Sequence, residues 1–236
     1  MSLSIIICSK DKNKLASISS NIKETSTKNV EVISIDNLIG QYSLASAYNL
    51  GARLSDTEEV VFLHEDIEFL CGGWDEIVLD HLNNQRVGMV GVVGTTKLRK
   101  NCGKFVSAGV PYVKGKIVHN LEGRRILSLF SEGSDDEDVA MVDGVFMATR
   151  KSLVERFLFD EINFNGFHFY DLDFSLRMGL SYRILVTPNI LISHESRGTF
   201  DKEWKRYEKI FLTKNREILQ NLYISSEFIK WKNVSY

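Results

Sequence analysis

"EEVVFLHED", residues 58 to 66, passes from four core side chains to three ionisable ones with no turn residue between them. Val60 to Leu63 suit only a buried strand. His64, Glu65 and Asp66 then stand at its carboxyl end. The surrounding chain repeats the pattern. "LSIIIC" (3–8) and "VEVISID" (30–36) are short β-rich runs, and the second ends in an acid. "SKDKNKLASISSNIKE" (9–24) and "SLASAYNLGARLS" (43–55) have helical character, with Leu44, Ala47 and Tyr48 at three- and four-residue spacing. "WDEIVLDHLNN" (74–84) predicts a further helix and "VGMVGVVG" (87–94) a further buried strand. Strand and helix thus alternate through residues 4–93, which predicts an α/β fold: a mostly parallel, Rossmann-like sheet flanked by helices.

Beyond residue 94 the rhythm breaks. Residues 95–138 carry the basic "KLRKNCGK", a hairpin candidate across "FVSAGVPYVKGKIVHN" and the acidic "SEGSDDED", read as an excursion ending in a mobile surface loop. Residues 139–200 return to strand ("VAMVDGVFMATR"), a short helix from Lys151, the loop "FDEINFNGF", the helix "YDLDFSLRMGL", and one or two strands in "SYRILVTPNILISHES". Residues 201–236 form a polar helical segment. With two prolines and no Pro/Gly/Ser-rich divider, residues 1–236 are expected to be one domain.

Bulk properties exclude several classes. A formal charge of −2 is not that of a general nucleic-acid binder. No run of about 18 apolar residues is present to span a membrane. The start is too quickly charged for a signal peptide, and Cys8, Cys71 and Cys102 are an odd number without CxxC spacing, so reduced thiols in a cytoplasm are expected.

In open parallel sheets, ligands sit beyond the carboxyl ends of the strands. There the first strand delivers Ser9, the second Asp36 and Asn37, the third His64, Glu65 and Asp66, and a late strand His194 and Glu195. Singly each has a bland explanation: Asp36 a turn, His64 a satisfied core histidine. Together, two histidines and several acids would be costly to bury unpaired, and a metal or metal-bound anion accounts for them.

The ordered motifs "SIIICS", "VEVISID", "YSLASAYNLGARLSDTEEVVFLHED", "DGVFMATRKSLVERFLFDEINF", "YDLDFSLR" and "ISHES" resemble family 2-like glycosyltransferases of the GT-A fold over residues 4–200. The resemblance implies transfer of a sugar from a nucleotide-diphosphate donor, a UDP-sugar first, to a hydroxyl on a glycan, lipid-linked or protein acceptor. It implies donor contacts from Ser9, Asp36, His64 and Asp66, and a metal site of Asp66 and His194, with His64 where the D-x-D motif has its first acid. It further implies Asp171 as the base of an inverting reaction and an acceptor side near Asp143 and Gly144. An imidazole ligand favours Mn²⁺ over Mg²⁺. Trp74 could stack on an acceptor sugar or anchor the core at a helix start. Asp173 is expected to pair with Arg177 four residues on.

Two departures stand out: His64 in place of the first acid, and Tyr170 in place of the usual glutamate of "E-D-x-D". The Q-x-x-R-W motif of processive synthases is absent, which favours single additions. Rival readings are a degenerate, non-catalytic nucleotide-sugar binder, a metallohydrolase built on His64, Asp66 and His194, and a nucleotidyltransferase. The last would normally carry a glycine-rich phosphate loop, where this chain has "CSKDKNK". Trp204, Tyr207, Ile210 and Phe211, with six basic residues in the last helix, could touch a membrane surface or simply close the domain.

Overall fold

A computed structural model describes residues 2–121, 123–195, 198 and 200–224. Among these, two sheets share the core. The larger has the order β2 (Val30–Asp36), β1 (Leu3–Ser9), β3 (Glu59–Leu63), β11 (Phe146–Arg150), β5 (Val87–Gly91), β12 (Arg183–Val186) and β9 (Glu137–Val139). β2, β1 and β3 are parallel in register, with Ile7 facing Leu63 and Ser9 facing Asp36. β11 then enters antiparallel to both β3 and β5, so the sheet is mixed and the parallel run is interrupted at its centre. The smaller sheet runs β10 (Met141–Val142), β6 (Val93–Thr95), β7 (Val113–Leu121), β13 (Ile192–His194) and β4 (Ile67–Phe69), with β8 (Arg124–Leu129) paired to β7.

The helices form where their sequences allow. α1 (Lys12–Thr25) starts on Asp11, whose carboxylate accepts from the amides of Asn13 and Lys14 at 2.8 and 3.2 Å. α2 (Leu44–Leu54) is capped by Ser43, whose Oγ accepts from Ser46 N at 3.1 Å. It lays Leu44, Ala47, Tyr48 and Gly51 on the sheet. A Cβ at Gly51 would come within 2.2 Å of Ile6 Cγ2, so helix and strand approach where only glycine fits. α3 (Trp74–Asn83) covers the opposite face together with α1; Val78 and Leu82 pack there with Ile18, Ile22 and Val61.

Several expectations need correction. Residues 87–94 are not one strand: Gly91 ends β5, and Val93 begins β6 in the other sheet. Residues 139–150 likewise split into β10 and β11, with the break at Asp143-Gly144. The hairpin lies later than the sequence suggests, as β7–β8, with a 3-10 turn at Phe105–Ala108 before it. The acidic run is partly built into the sheet: β9 pairs with β12, Asp138 accepts from Arg183 at 2.9 and 3.0 Å, and Glu137 meets Lys114 at 2.5 Å. These partners hold in place a stretch whose composition suggested a mobile loop.

α4 (Lys151–Phe157), α5 (Tyr170–Met178), α6 (Lys202–Lys214) and α7 (Arg216–Gln220) complete the chain. α6 closes the domain, burying Tyr207 and Phe211 completely or nearly so. Its apolar face is therefore spent on the core. Residues 225–236, the rest of the expected C-terminal segment, lie outside the described residues. Among the described residues no helix is long and apolar enough to cross a membrane.

Candidate metal centre and base

β3 ends at Leu63 because Tyr48 reaches across and donates its hydroxyl to the Leu63 carbonyl at 3.1 Å. The polar triplet follows as a turn rather than more strand. His64 N donates to Val145 O at 3.4 Å, tying this turn to the entry of β11. β13 lies antiparallel to β4, with His194 opposite Ile67, so His194 arrives beside Asp66.

The result is a cluster in which one ligand atom each from His64, Asp66 and His194 lies within 4.8 Å of the others. His194 Nε2 is buried and sits 3.3 Å from Asp66 Oδ1 without an aligned hydrogen bond. A buried ring nitrogen facing a carboxylate but not bonded to it is suited to share a cation with it. Burial works against the charge of Asp66. The His194 contact, the two imidazoles and Lys14 nevertheless hold its carboxyl down at about 2. Burial and the neighbouring His194 keep His64 below the usual histidine range, against the pull of Asp66 and Asp143, so it favours the neutral, ligand-competent form. Two imidazoles and one carboxylate fit a first-row divalent ion.

Asp171 lies in the first turn of α5. Its Oδ2 accepts from Gly144 N at 2.7 Å. The helix N-terminus favours its charge, but burial first and then Asp143 outweigh that and push its carboxyl up to about 7. Asp143 itself turns inward, accepting from Val145 N at 2.9 Å. The His64–Asp66–His194 cluster and Asp171 are bridged by Tyr170, whose hydroxyl lies 3.0 Å from His64 Nε2 and donates to Gly144 O at 3.5 Å. Phe169, before α5, has φ 65°, an unusual backbone state for a bulky residue. Its ring sits 5.2 Å from those of both Trp204 and Phe211, so α6 holds the start of α5 in place.

The other expected site residues land unevenly. Ser9 is 4% exposed, and its hydroxyl donates to Glu65 Oε2 at 2.7 Å. That same oxygen accepts from the amides of Lys10 and Asp11 at 3.0 and 3.1 Å. Glu65 is thus a brace for the loop after β1. Asp36 is exposed, with Oδ1 accepting from Leu38 N at 3.0 Å in an Asx turn, and stands at the parallel end of β2 beside Ser9. Asn37 is buried and donates to Tyr42 O at 2.9 Å. Trp74 is not on the acceptor side. It is fully buried, stacked on Phe69 at 4.3 Å, with its indole N–H donated to Thr25 Oγ1 at 3.0 Å, so no sugar can reach its faces. Asp173 pairs with Arg177 as expected, at 2.7 Å.

Sequence reading passed over two contacts. Lys14 bonds Glu195 at 2.8 Å while Glu195 N donates to Asp66 O at 3.1 Å, which holds the loop after β13 against α1. Tyr170 was visible as a departure, but its partner His64 was not. A cleft of about 360 Å³ opens beside Asp66. Glu24, Glu65, Asp66, Glu68 and Glu195 line it against Lys14, the one basic side chain among the described residues that line it, so a diphosphate is not its natural occupant.

The profile described as "Glycosyltransferase like family" matches residues 4–215. No curated protein sequence matches the chain. Among solved structures, one titled "Crystal structure of GalNAc-T7 with UDP, GalNAc and Mn2+" superposes with a TM-score of 0.61 at 9% identity, over 91% of this chain and 48% of that one. The chain therefore spans about half the length of that protein, and at such identity the likeness concerns the fold.

Proposed function

The chain belongs to the glycosyltransferase-like family and has the GT-A fold, and from that premise we propose that it moves a single sugar, with inversion, from a nucleoside-diphosphate donor to a hydroxyl acceptor. The observation that carries this reading is the pairing of His64, Asp66 and His194 with Asp171 across one buried tyrosine. His64, Asp66 and His194 would hold the divalent cation, Mn²⁺ before Mg²⁺ because two of three ligands are imidazoles. When bound, that ion supplies Lewis-acid neutralisation of charge on the departing diphosphate.

The protein's own groups supply the rest. Asp171, poised near neutrality, takes the proton from the acceptor hydroxyl as its oxygen attacks the anomeric carbon. Gly144 N–H keeps one carboxylate oxygen oriented while it does so. Tyr170 stays protonated, because burial pushes its hydroxyl well above the usual range. Exposed Asp36, next to the end of β1, is the candidate contact for the nucleobase, and Ser9 acts there through Glu65 and the loop backbone. A UDP-sugar is the first donor to test, since the superposed structure holds UDP. The acceptor is a glycan, lipid-linked or protein hydroxyl, approached from Asp143 and Gly144. Three free cysteines suit a reducing cytoplasm.

The test is calorimetric titration of UDP, GDP and CDP, with and without Mn²⁺, into wild type and Asp66→Asn. One diphosphate is expected to bind in a Mn²⁺-dependent way, and the dependence is expected to vanish in the variant. Binding that ignores both metal and mutation would remove the cation from the reading. No binding of any diphosphate would remove the donor.

A further inference from the structure

His64 and Tyr170, the two residues at which the sequence leaves the resembled pattern, are 106 positions apart and in contact, with Nε2 of the one 3.0 Å from Oη of the other. We propose that Tyr170 is a positioning residue for the cation site: it holds Nε2 of His64, so that Nδ1 is the nitrogen this histidine offers to the metal. The inference rests on the reading of His64, Asp66 and His194 as a cation site.

A neutral imidazole has one N–H and one lone pair, and the partner of one nitrogen decides the role of the other. The Tyr170 hydroxyl has its own acceptor, the Gly144 carbonyl at 3.5 Å. With its hydrogen directed there, its oxygen lone pair faces His64. Nε2 must then carry the hydrogen, and Nδ1 keeps the lone pair.

The tyrosine is built to stay where it is. It is 2% exposed, and its ring is edge-on to Tyr48 at 5.6 Å and lies 6.1 Å from Phe159. Tyr48 in turn bonds the carbonyl of Leu63, the residue before His64, so both sides of the contact are fixed by one neighbour. At position 144 any Cβ would fall 2.1 Å from Tyr170 Oη, which makes glycine the residue that admits the hydroxyl. A carboxylate at position 170 would add a further negative charge to the pair Asp143 and Asp171. A hydroxyl orients the imidazole and adds none.

The test uses Tyr170→Phe, which keeps the ring and removes the oxygen. Long-range ¹H–¹⁵N correlation spectra of metal-free, histidine-labelled protein report the His64 tautomer directly. Wild type is expected to show the Nε2–H form and Tyr170→Phe a mixture. Mn²⁺ titration should then show a Kd about 10-fold or more weaker in the variant, the scale of loss for outer-shell partners of metal ligands. In a His64→Ala background, Tyr170→Phe should add nothing, which separates positioning from general loosening of the fold.

An Nδ1–H tautomer in wild type overturns the proposal without any variant. So does a Kd that Tyr170→Phe leaves within about 2-fold of wild type, or an equal loss in the His64→Ala background. Wild type that binds no Mn²⁺ at all sinks the cation reading itself. Wild-type binding that survives Tyr170→Phe unchanged sinks only the role of Tyr170.

Discussion

Asp171→Asn lowers the rate of sugar transfer by about 10²- to 10⁴-fold, the usual contribution of a positioned general base, while nucleotide and cation binding stay near wild type. The amide keeps the size of the carboxyl and can still accept from Gly144 N at the present 2.7 Å. What it loses is the ability to take a proton. The pH profile carries the sharper signature. A carboxyl at about 7 is mostly protonated at pH 6, so wild-type kcat/KM should rise about tenfold per unit below neutrality and level off above it. The variant should be flat. Stability moves in a linked way. Between pH 4 and 7 the folded protein holds a proton at Asp171 that the unfolded chain has released, so wild-type stability falls as pH rises through that window. Asp171→Asn lacks this slope, and its melting temperature should match wild type near pH 4 and exceed it at pH 8. Asp171 is only half-buried, and solvent screening reduces the full linkage, so the gain is about 1 kcal/mol, or roughly 2–4 °C in a protein of this size. Equal activity of variant and wild type across pH 6–9 would dismiss Asp171 as the base.

The second large effect concerns stability alone. Asp173 is completely buried. It accepts from Arg177 Nε at 2.7 Å, from Lys214 Nζ at 2.7 and 2.8 Å, and from Asn215 Nδ2 at 3.0 Å. One carboxylate thus joins α5 to the end of α6. Removing one member of a buried ion pair costs about 3–5 kcal/mol because the partners stay behind. Here the partners are not fully stranded. Lys214 keeps Asp160 at 2.6 Å, and Arg177 keeps the carbonyls of Phe157 and Leu158. Asp173→Ala should therefore sit at the low end, about 3 kcal/mol, seen as a melting temperature lowered by roughly 6–12 °C. Because α6 also presses on Phe169, transfer activity should fall as well, even below the melting point. An unfolding free energy from urea titration within about 0.5 kcal/mol of wild type would mean that α6 is held by its apolar face and not by this carboxylate.

The alternation of residues 3–94 was readable because buried strands and amphipathic helices differ in period and length. The antiparallel entry of β11 was not, since strand direction leaves no mark on an apolar run such as "VFMATR". Likewise "VGMVGVVG" is uniformly buried on both sides of its bend, so no change of pattern betrays the switch between sheets. In the site, His64, Asp66 and His194 could be picked out as groups a plain core does not need, whereas Asp171 stood out only through the resemblance carried by "YDLDFSLR". Glu65 could not be placed, because its partners Ser9, Lys10 and Asp11 are 54–56 residues away. For Trp74 the sequence offered a sugar platform and a core anchor at a helix start, and the stacked Phe69 decides for the anchor.

The central reversed strand has a mechanical consequence. β3 leads to the proposed cation ligands His64 and Asp66, and β11 follows directly from the Gly144 turn that grips Asp171. The two strands are hydrogen-bonded neighbours, with Leu63 opposite Phe146. In the proposed reaction the gap between leaving group and base is thus dictated by a single backbone ladder, as rigid a spacer as a protein offers, and needs no hinge to set it. The hairpin β7–β8 hangs from the other sheet, off that ladder. Its strand β7 runs beside β13, with His119 opposite His194, so the third proposed ligand is set by the smaller sheet and the first two by this ladder.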